Sequence, residues 1–155
     1  MEIEKENGDT FIHFLLGEDE YAIRILDVQE IITPLPITPV PGTPDSILGV
    51  VNLRGKIVPM MDLRRTLGLS PKPVGETSCF VIIQYRHWLM GVVVDRVSGV
   101  TDAGEVGVSQ KRENGNEGID RFVTGDANRE EDEGSIQVLN VEKLVTDEYH
   151  EEIYR

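Results

Sequence analysis

The chain has one cysteine and three histidines in 155 residues, and that scarcity removes several chemistries at once. Cys79 has no partner for an internal disulfide, and a multi-cysteine metal site is out of reach. It stands in the apolar run Cys79-Phe80-Val81-Ile82-Ile83, where a thiol serves as a small buried hydrophobe. None of His13, His87 and His150 lies at metal-ligand spacing from another or from Cys79, so no metal and no cofactor is expected. Also missing are a phosphate-cradling glycine loop, a Gly-x-Ser-x-Gly elbow and a His-Glu-x-x-His helix, which disfavours an enzyme. No apolar run approaches the roughly 20 residues of a membrane-spanning helix. The start Met-Glu-Ile-Glu-Lys-Glu lacks the basic and apolar parts of a signal peptide. The expectation is a cytoplasmic protein with no direct membrane insertion.

Basic residues are scarce too. Lys and Arg number 15 against 28 Asp and Glu, and the net charge of −13 opposes a nonspecific hold on phosphate backbones or anionic lipid. No nucleic acid is therefore expected as a partner, although a small nucleic-acid-binding barrel is the alternative that a compact β chain raises. The deficit is uneven. Residues 31–75 hold Arg54, Lys56, Arg64, Arg65 and Lys72 against Asp45 and Asp62, a basic island able to steer an acidic partner.

What is present reads as short strands. A length of 155 residues and 39% apolar content suit one domain, or two small lobes around a shared core. Phe11–Leu16 and Tyr21–Leu26 form a hairpin across Gly17-Glu18-Asp19-Glu20. Asp27 and Glu30, at capping-box spacing, predict a short helix over Val28–Ile32. Five of the eight prolines fall between Thr33 and Pro44 and dictate an extended crossover.

The most informative stretch follows at residues 47–64. Val50–Leu53 and Lys56–Met61 are β-prone runs joined at Arg54-Gly55, with Gly55 supplying the positive φ of a tight turn and Arg54 held out at the tip. Pro59 places its strand at an edge or at a bulge. Asp62 caps a short helix that Gly68 ends. Cys79–Gln84 and Trp88–Val94 are strands, Asp102–Gly118 has the composition of a long loop, and Ile119–Thr124 and Ser135–Val141 read as closing strands. Between them Gly125–Gly134, with Glu130-Glu131-Asp132-Glu133, reads as a solvated hairpin tip, and a short helix with a frayed tail follows Val141. The hydrophobic pattern repeats. A shift of 69 sets Phe11 on Phe80, Ile23 on Val92 and Val28 on Val97, and a shift of 78 sets Val58 on Ile136 and Met60 on Val138. Many short strands with brief turns define an all-β architecture of small barrels.

Gly49-Val-Val-Asn-Leu-Arg-Gly55 followed by Ile57-Val-Pro-Met-Met-Asp-Leu63 resembles the signature of the CheW-like domain family. Tyr21-Ala-Ile with Val28-Gln-Glu-Ile31, the Val40-Pro41 to Pro44 approach and Val93-Val-Asp-Arg-Val-Ser-Gly-Val100 are similar to it in order and spacing. The resemblance runs from about Phe11 to Val145. It implies two intertwined five-stranded barrels of the SH3 or OB type with short helices. One lobe is then about 28–95 and the other about 11–27 plus 96–146, between a flexible segment 1–10 and a tail 147–155. It also implies a chemotaxis adaptor that joins the cytoplasmic tips of chemoreceptors to the histidine kinase CheA, whose regulatory domain is CheW-like, in receptor arrays at the membrane. The implied receptor-binding residues are Val28, Glu30, Gly49 and Arg54, and the implied kinase-binding residues are Val97 and Val100. Each has a structural reading beside it: Val28, Val97 and Val100 as core, Glu30 as a cap, Gly49 as a point of close backbone approach, Arg54 as a solvated turn residue. The chain departs from the family pattern at Ile119-Asp-Arg-Phe-Val-Thr, which lacks the usual glycine-centred strand.

Overall fold

The structure is a computed structural model that describes residues 10–102, 106–110, 123–129 and 135–149. Its elements are β1 (Thr10–Leu16), β2 (Asp19–Arg24), β3 (Val28–Ile32), β4 (Ile47–Leu53), β5 (Lys56–Met61), α1 (Leu63–Thr66), β6 (Cys79–Tyr85) and β7 (Trp88–Val94). There follow β8 (Arg96–Asp102), β9 (Val106–Gln110), β10 (Val123–Arg129), β11 (Ser135–Leu139) and α2 (Val141–Tyr149). They form a six-stranded sheet in the order β8-β1-β2-β11-β10-β9 and a five-stranded sheet in the order β3-β6-β7-β5-β4. The all-β expectation holds. No helix of the described residues is long and apolar enough to cross a membrane.

Register reveals a duplication with exchanged hairpins. Met60 pairs with Gly91 in the parallel β5–β7 contact, and Val138 pairs with Ala22 in the parallel β11–β2 contact. The first pair maps onto the second, because Gly91 is Ala22 shifted by 69 and Val138 is Met60 shifted by 78. Likewise Val28 pairs with Ile83 and Val97 with Phe14. Each hairpin, β1–β2 or β6–β7, is thus completed by strands from the other half of the chain. The same 78-residue shift sets Asp62, whose carboxylate accepts from Arg65 N–H at the start of α1, on Asn140, whose amide oxygen accepts from Lys143 N–H at 3.1 Å in α2.

The exchange explains why the hairpins are apolar on both faces. In β6, Phe80 and Ile82 join Val51, Val58 and Met60 inside one sheet's own fold, while Val81 and Ile83 join Ile12, Phe14, Ile23 and Leu144 between the sheets. Phe11, Ala22, Ile136 and Val138 make the equivalent inner cluster of the other sheet. Burial on two sides gives a continuous apolar run in place of alternation, with each large side chain contributing roughly 1.5–3 kcal/mol.

Four expectations need correction. Val28–Ile32 is a strand, and only Ile25–Asp27 makes a turn of 3₁₀ helix. Three β-branched residues with an open partner edge on β6 outweigh the capping-box spacing, and Asp27 instead receives the Arg24 guanidinium at 3.1 Å. Pro59 lies in an inner strand. Val50 opposite it uses its N–H and C=O on Thr38, at 2.9 and 2.8 Å, so the missing proline donor leaves the β4–β5 ladder intact. The ladder's irregularity falls instead between Ile47 and Gly49. Strand β9 occupies part of the expected 102–118 loop, and β10 runs on to Arg129 into the expected tip. The acidic run 130–133 and the segments 1–9 and 150–155 lie outside the described residues, while α2 continues to Tyr149.

Two expectations hold in detail. Gly68 closes α1 with φ 78, its N–H reaching Arg65 O at 3.1 Å while Leu69 N–H reaches Arg64 O at 2.7 Å. The proline crossover touches the sheet at one bridge, Thr38 to Val50.

Candidate functional site

The β4–β5 turn carries its arginine on left-handed backbone. Arg54 has φ 51 and Gly55 φ 87, a pairing that matches the twist of the flanking strands. Asn52 fixes the turn by accepting from Gly55 N–H at 2.8 Å. The Arg54 side chain is 67% exposed, yet it is ion-paired with Glu30 on β3. β3 and β4 are opposite edges of the five-stranded sheet, so this pair spans the gap where the sheet curls towards closure.

Gly49 closes the same gap lower down. Its φ is 148, and a Cβ there would press on the Thr38 carbonyl, with Thr38 C at 2.7 Å and Ile37 Cγ2 at 2.9 Å. The crossover can lie against β4 only because position 49 has no side chain. Gly49 is itself buried, and Val28 has no exposed surface, being packed in the core between the sheets. Of the four residues expected to face a receptor, Glu30 and Arg54 therefore meet at the surface, while Gly49 and Val28 lie buried beneath them. Val97 packs partly against the central core, and Val100 is 49% exposed on β8, an edge strand of the six-stranded sheet.

The basic island of the sequence is divided by the fold. Arg54 and Lys56 stand at the β4–β5 turn, whereas Arg64, Arg65 and Lys72 follow the far end of β5 and are engaged there. Arg64 is ion-paired with Asp95, and it also donates to Ser70 O at 3.0 Å. Arg65 donates to Asp45 O at 3.2 Å. Asp95 further accepts from Gly17 N–H at 2.7 Å and lies 3.6 Å from Lys72 Nζ. Its backbone N–H reaches Leu15 O at 3.0 Å, and its carbonyl takes the Thr77 hydroxyl at 2.9 Å. This junction clamps the β1–β2 turn to α1 and the 70–78 loop. Partial burial alone would raise the Asp95 carboxyl, but the Arg64 hydrogen bond, the Gly17 N–H and the charges of Arg64 and Lys72 outweigh it and hold the group below the usual carboxylate range. Sequence reading missed this centre. Beside it a groove of about 280 Å³ is lined by Ile37, Leu48, Val74 and Val93.

Among the described residues, His13 is placed away from any nucleophile–base relay. His13, 1% exposed, has Nδ1 3.4 Å from a Glu20 carboxylate oxygen, and the same oxygen accepts from the Ser98 hydroxyl at 3.0 Å. Serine and histidine both address the acid, whereas general-base activation needs the hydroxyl to donate to the imidazole. Among the described residues, no three His, Cys, Asp or Glu side chains converge as a metal site.

The molecule is thus a pair of curled sheets built by the exchange of hairpins between chain halves, with an ion-paired arginine on a surface turn. The CheW-like domain model matches residues 10–149, and the chain belongs to that family. It is 38% identical over 88 residues to the chemotaxis protein CheW of Helicobacter pylori, covering 57% of this chain and 53% of that one. It is 42% identical over 93 residues to CheW of Klebsiella aerogenes, covering 60% and 56% respectively. The matched stretch thus spans little more than half the length of these relatives. Among solved structures, the scaffolding protein TtCheW of Thermoanaerobacter tengcongensis superimposes with a TM-score of 0.74 at 29% identity, over 86% of this chain and 90% of that one.

Proposed function

We propose that this chain is a chemotaxis adaptor that couples chemoreceptors to the histidine kinase CheA and performs no chemistry of its own. The observation that carries this reading is the Arg54–Glu30 pair, set on positive-φ backbone at the surface within the stretch that bears the family signature. A guanidinium paired through one edge keeps donors free for carboxylate or carbonyl oxygens of a partner. Receptor binding then falls to Arg54 and Glu30, supported by Val28 and Gly49. Kinase binding falls to β8, where Val100 offers an apolar side chain on an edge strand and Val97 anchors the strand to the core. The adaptor works at receptor arrays by contacting both partners at once, and the coupling required is about 1–3 kcal/mol.

A pull-down tests the two faces separately. Arg54→Glu should weaken retention on a purified receptor cytoplasmic fragment and spare the CheA regulatory domain, whereas Val100→Asp should do the reverse. Unchanged receptor retention by Arg54→Glu would remove Arg54 from the contact.

A further inference from the structure

A second basic turn lies at the Arg54 end of the same sheet. β5 and β7 are parallel neighbours, paired at Met60–Gly91 and Met61–Val92. The turns that feed them, Arg54-Gly55 and Arg86-His87, therefore leave the sheet at one end. Carried back along the strands, that register sets Lys56 level with His87. Arg54, Lys56, Arg86 and His87 are all exposed. The Arg86 guanidinium rests over the Tyr85 ring at 5.2 Å, and His87 stands edge-on to Trp88 at 5.6 Å, so both are held by aromatic neighbours. Among the described residues, no carboxylate lies within salt-bridge distance of Lys56, Arg86 or His87. Ile57, 63% exposed, adds an apolar contact next to Lys56.

The equivalent end of the other sheet has the opposite sign. Arg86 shifted back by 69 is Gly17, whose turn reads Gly17-Glu18-Asp19-Glu20. On a molecule of net charge −13, an acidic partner is repelled there and drawn to the Arg86 end. Nothing in the sequence order shows this, because residues 54–56 and 86–87 belong to separate hairpins.

We propose that the Arg86-His87 turn is a second contact of the receptor-facing end, and that the surface from Arg54 to Arg86 receives a protein segment presenting carboxylates at two points beside an apolar side chain that covers Ile57. This rests on the receptor reading above. The full chain, unaltered and as Arg86→Asp, Arg86→Asn and Arg54→Glu, would be titrated with a purified chemoreceptor cytoplasmic fragment and, in parallel, with the CheA regulatory domain, at low and high salt. Asp and Asn both tolerate the φ of 56 found at position 86, and circular dichroism would verify the fold. Arg86→Asp should weaken binding about fivefold and Arg86→Asn by less, with the difference shrinking in high salt. Full affinity of Arg86→Asp alongside weakened Arg54→Glu would overturn this inference and leave the receptor reading standing. Full affinity in both, or no binding by the unaltered chain, would overturn both. A loss confined to the CheA regulatory domain would overturn the choice of partner.

Discussion

In the six-stranded sheet Ala22 stands opposite Val138, and at the equivalent place in the five-stranded sheet Gly91 stands opposite Met60. The larger side chain on one strand is balanced by a smaller one on the other. A Cβ on Gly91 would press on Met60 Sδ, with Met60 Cε at 2.6 Å and Ile82 Cδ1 at 3.2 Å. The two folds therefore keep one backbone plan and trade volume across a single pair, as close packing demands. They diverge more sharply at the flank. The six-stranded sheet continues into a full strand, β9, where the five-stranded one receives only the Thr38 bridge, and that lone contact depends on the bare backbone of Gly49.

The largest expected effect breaks that flank. Gly49→Ala should cost at least about 3 kcal/mol, since it adds a clash with Thr38 to an unfavourable φ. Gly99→Ala on β8, where a Cβ meets nothing within 4 Å, should change stability by less than about 1 kcal/mol; denaturant titration of the pair checks both. Next comes the clamp between the sheets. Asp95→Asn should cost about 2 kcal/mol near neutral pH, because Arg64 loses its ion pair at a site only 12–17% exposed. The folded carboxyl is held low, so its stabilisation is complete above the unfolded value of about 3.9 and is lost as pH falls through the folded value. The gap between wild type and Asp95→Asn should be flat above about pH 5 and close below about pH 4.

A smaller effect tests the volume trade directly. Gly91→Ala should cost about 1–2 kcal/mol, and adding Met60→Val, which imports the Ala–Val pair of the other sheet, should recover part of it. Failure of the second change to help would show that the two inner cores are not interchangeable. Smallest in stability is the exposed pair: exchanging the charges as Arg54→Glu with Glu30→Arg should shift unfolding by no more than about 0.5 kcal/mol. If receptor retention stays lost while the pair is restored, Arg54 touches the partner and does more than hold the turn.

Much of the fold was legible because its signals are local. Gly55 and Gly68 mark a turn and a helix end by their backbone needs, and the five prolines permit little but an extended crossover. The repeat was visible as hydrophobic spacing, but the exchange of hairpins was not, since which strand completes which sheet is a long-range choice. Val28–Ile32 was misread for the same reason: a capping spacing is local, whereas the β6 edge that makes it a strand lies more than 45 residues away. In the site, Arg54 and Glu30 were both legible from the sequence, but their pairing, the Asp95 junction and the approach of the Arg86 turn are assembled by tertiary contact and leave no mark in the order of residues.

The exchanged hairpins carry a consequence for how the molecule comes apart. The five-stranded sheet, β3 to β7, is set in the chain between β2 and β8 of the other, and both sheets pack on one shared core, so local unfolding has no natural boundary between them. Slow-exchanging backbone amides in β2 and β7 should then report one shared opening free energy, and a partner that stiffens either sheet should slow exchange in both.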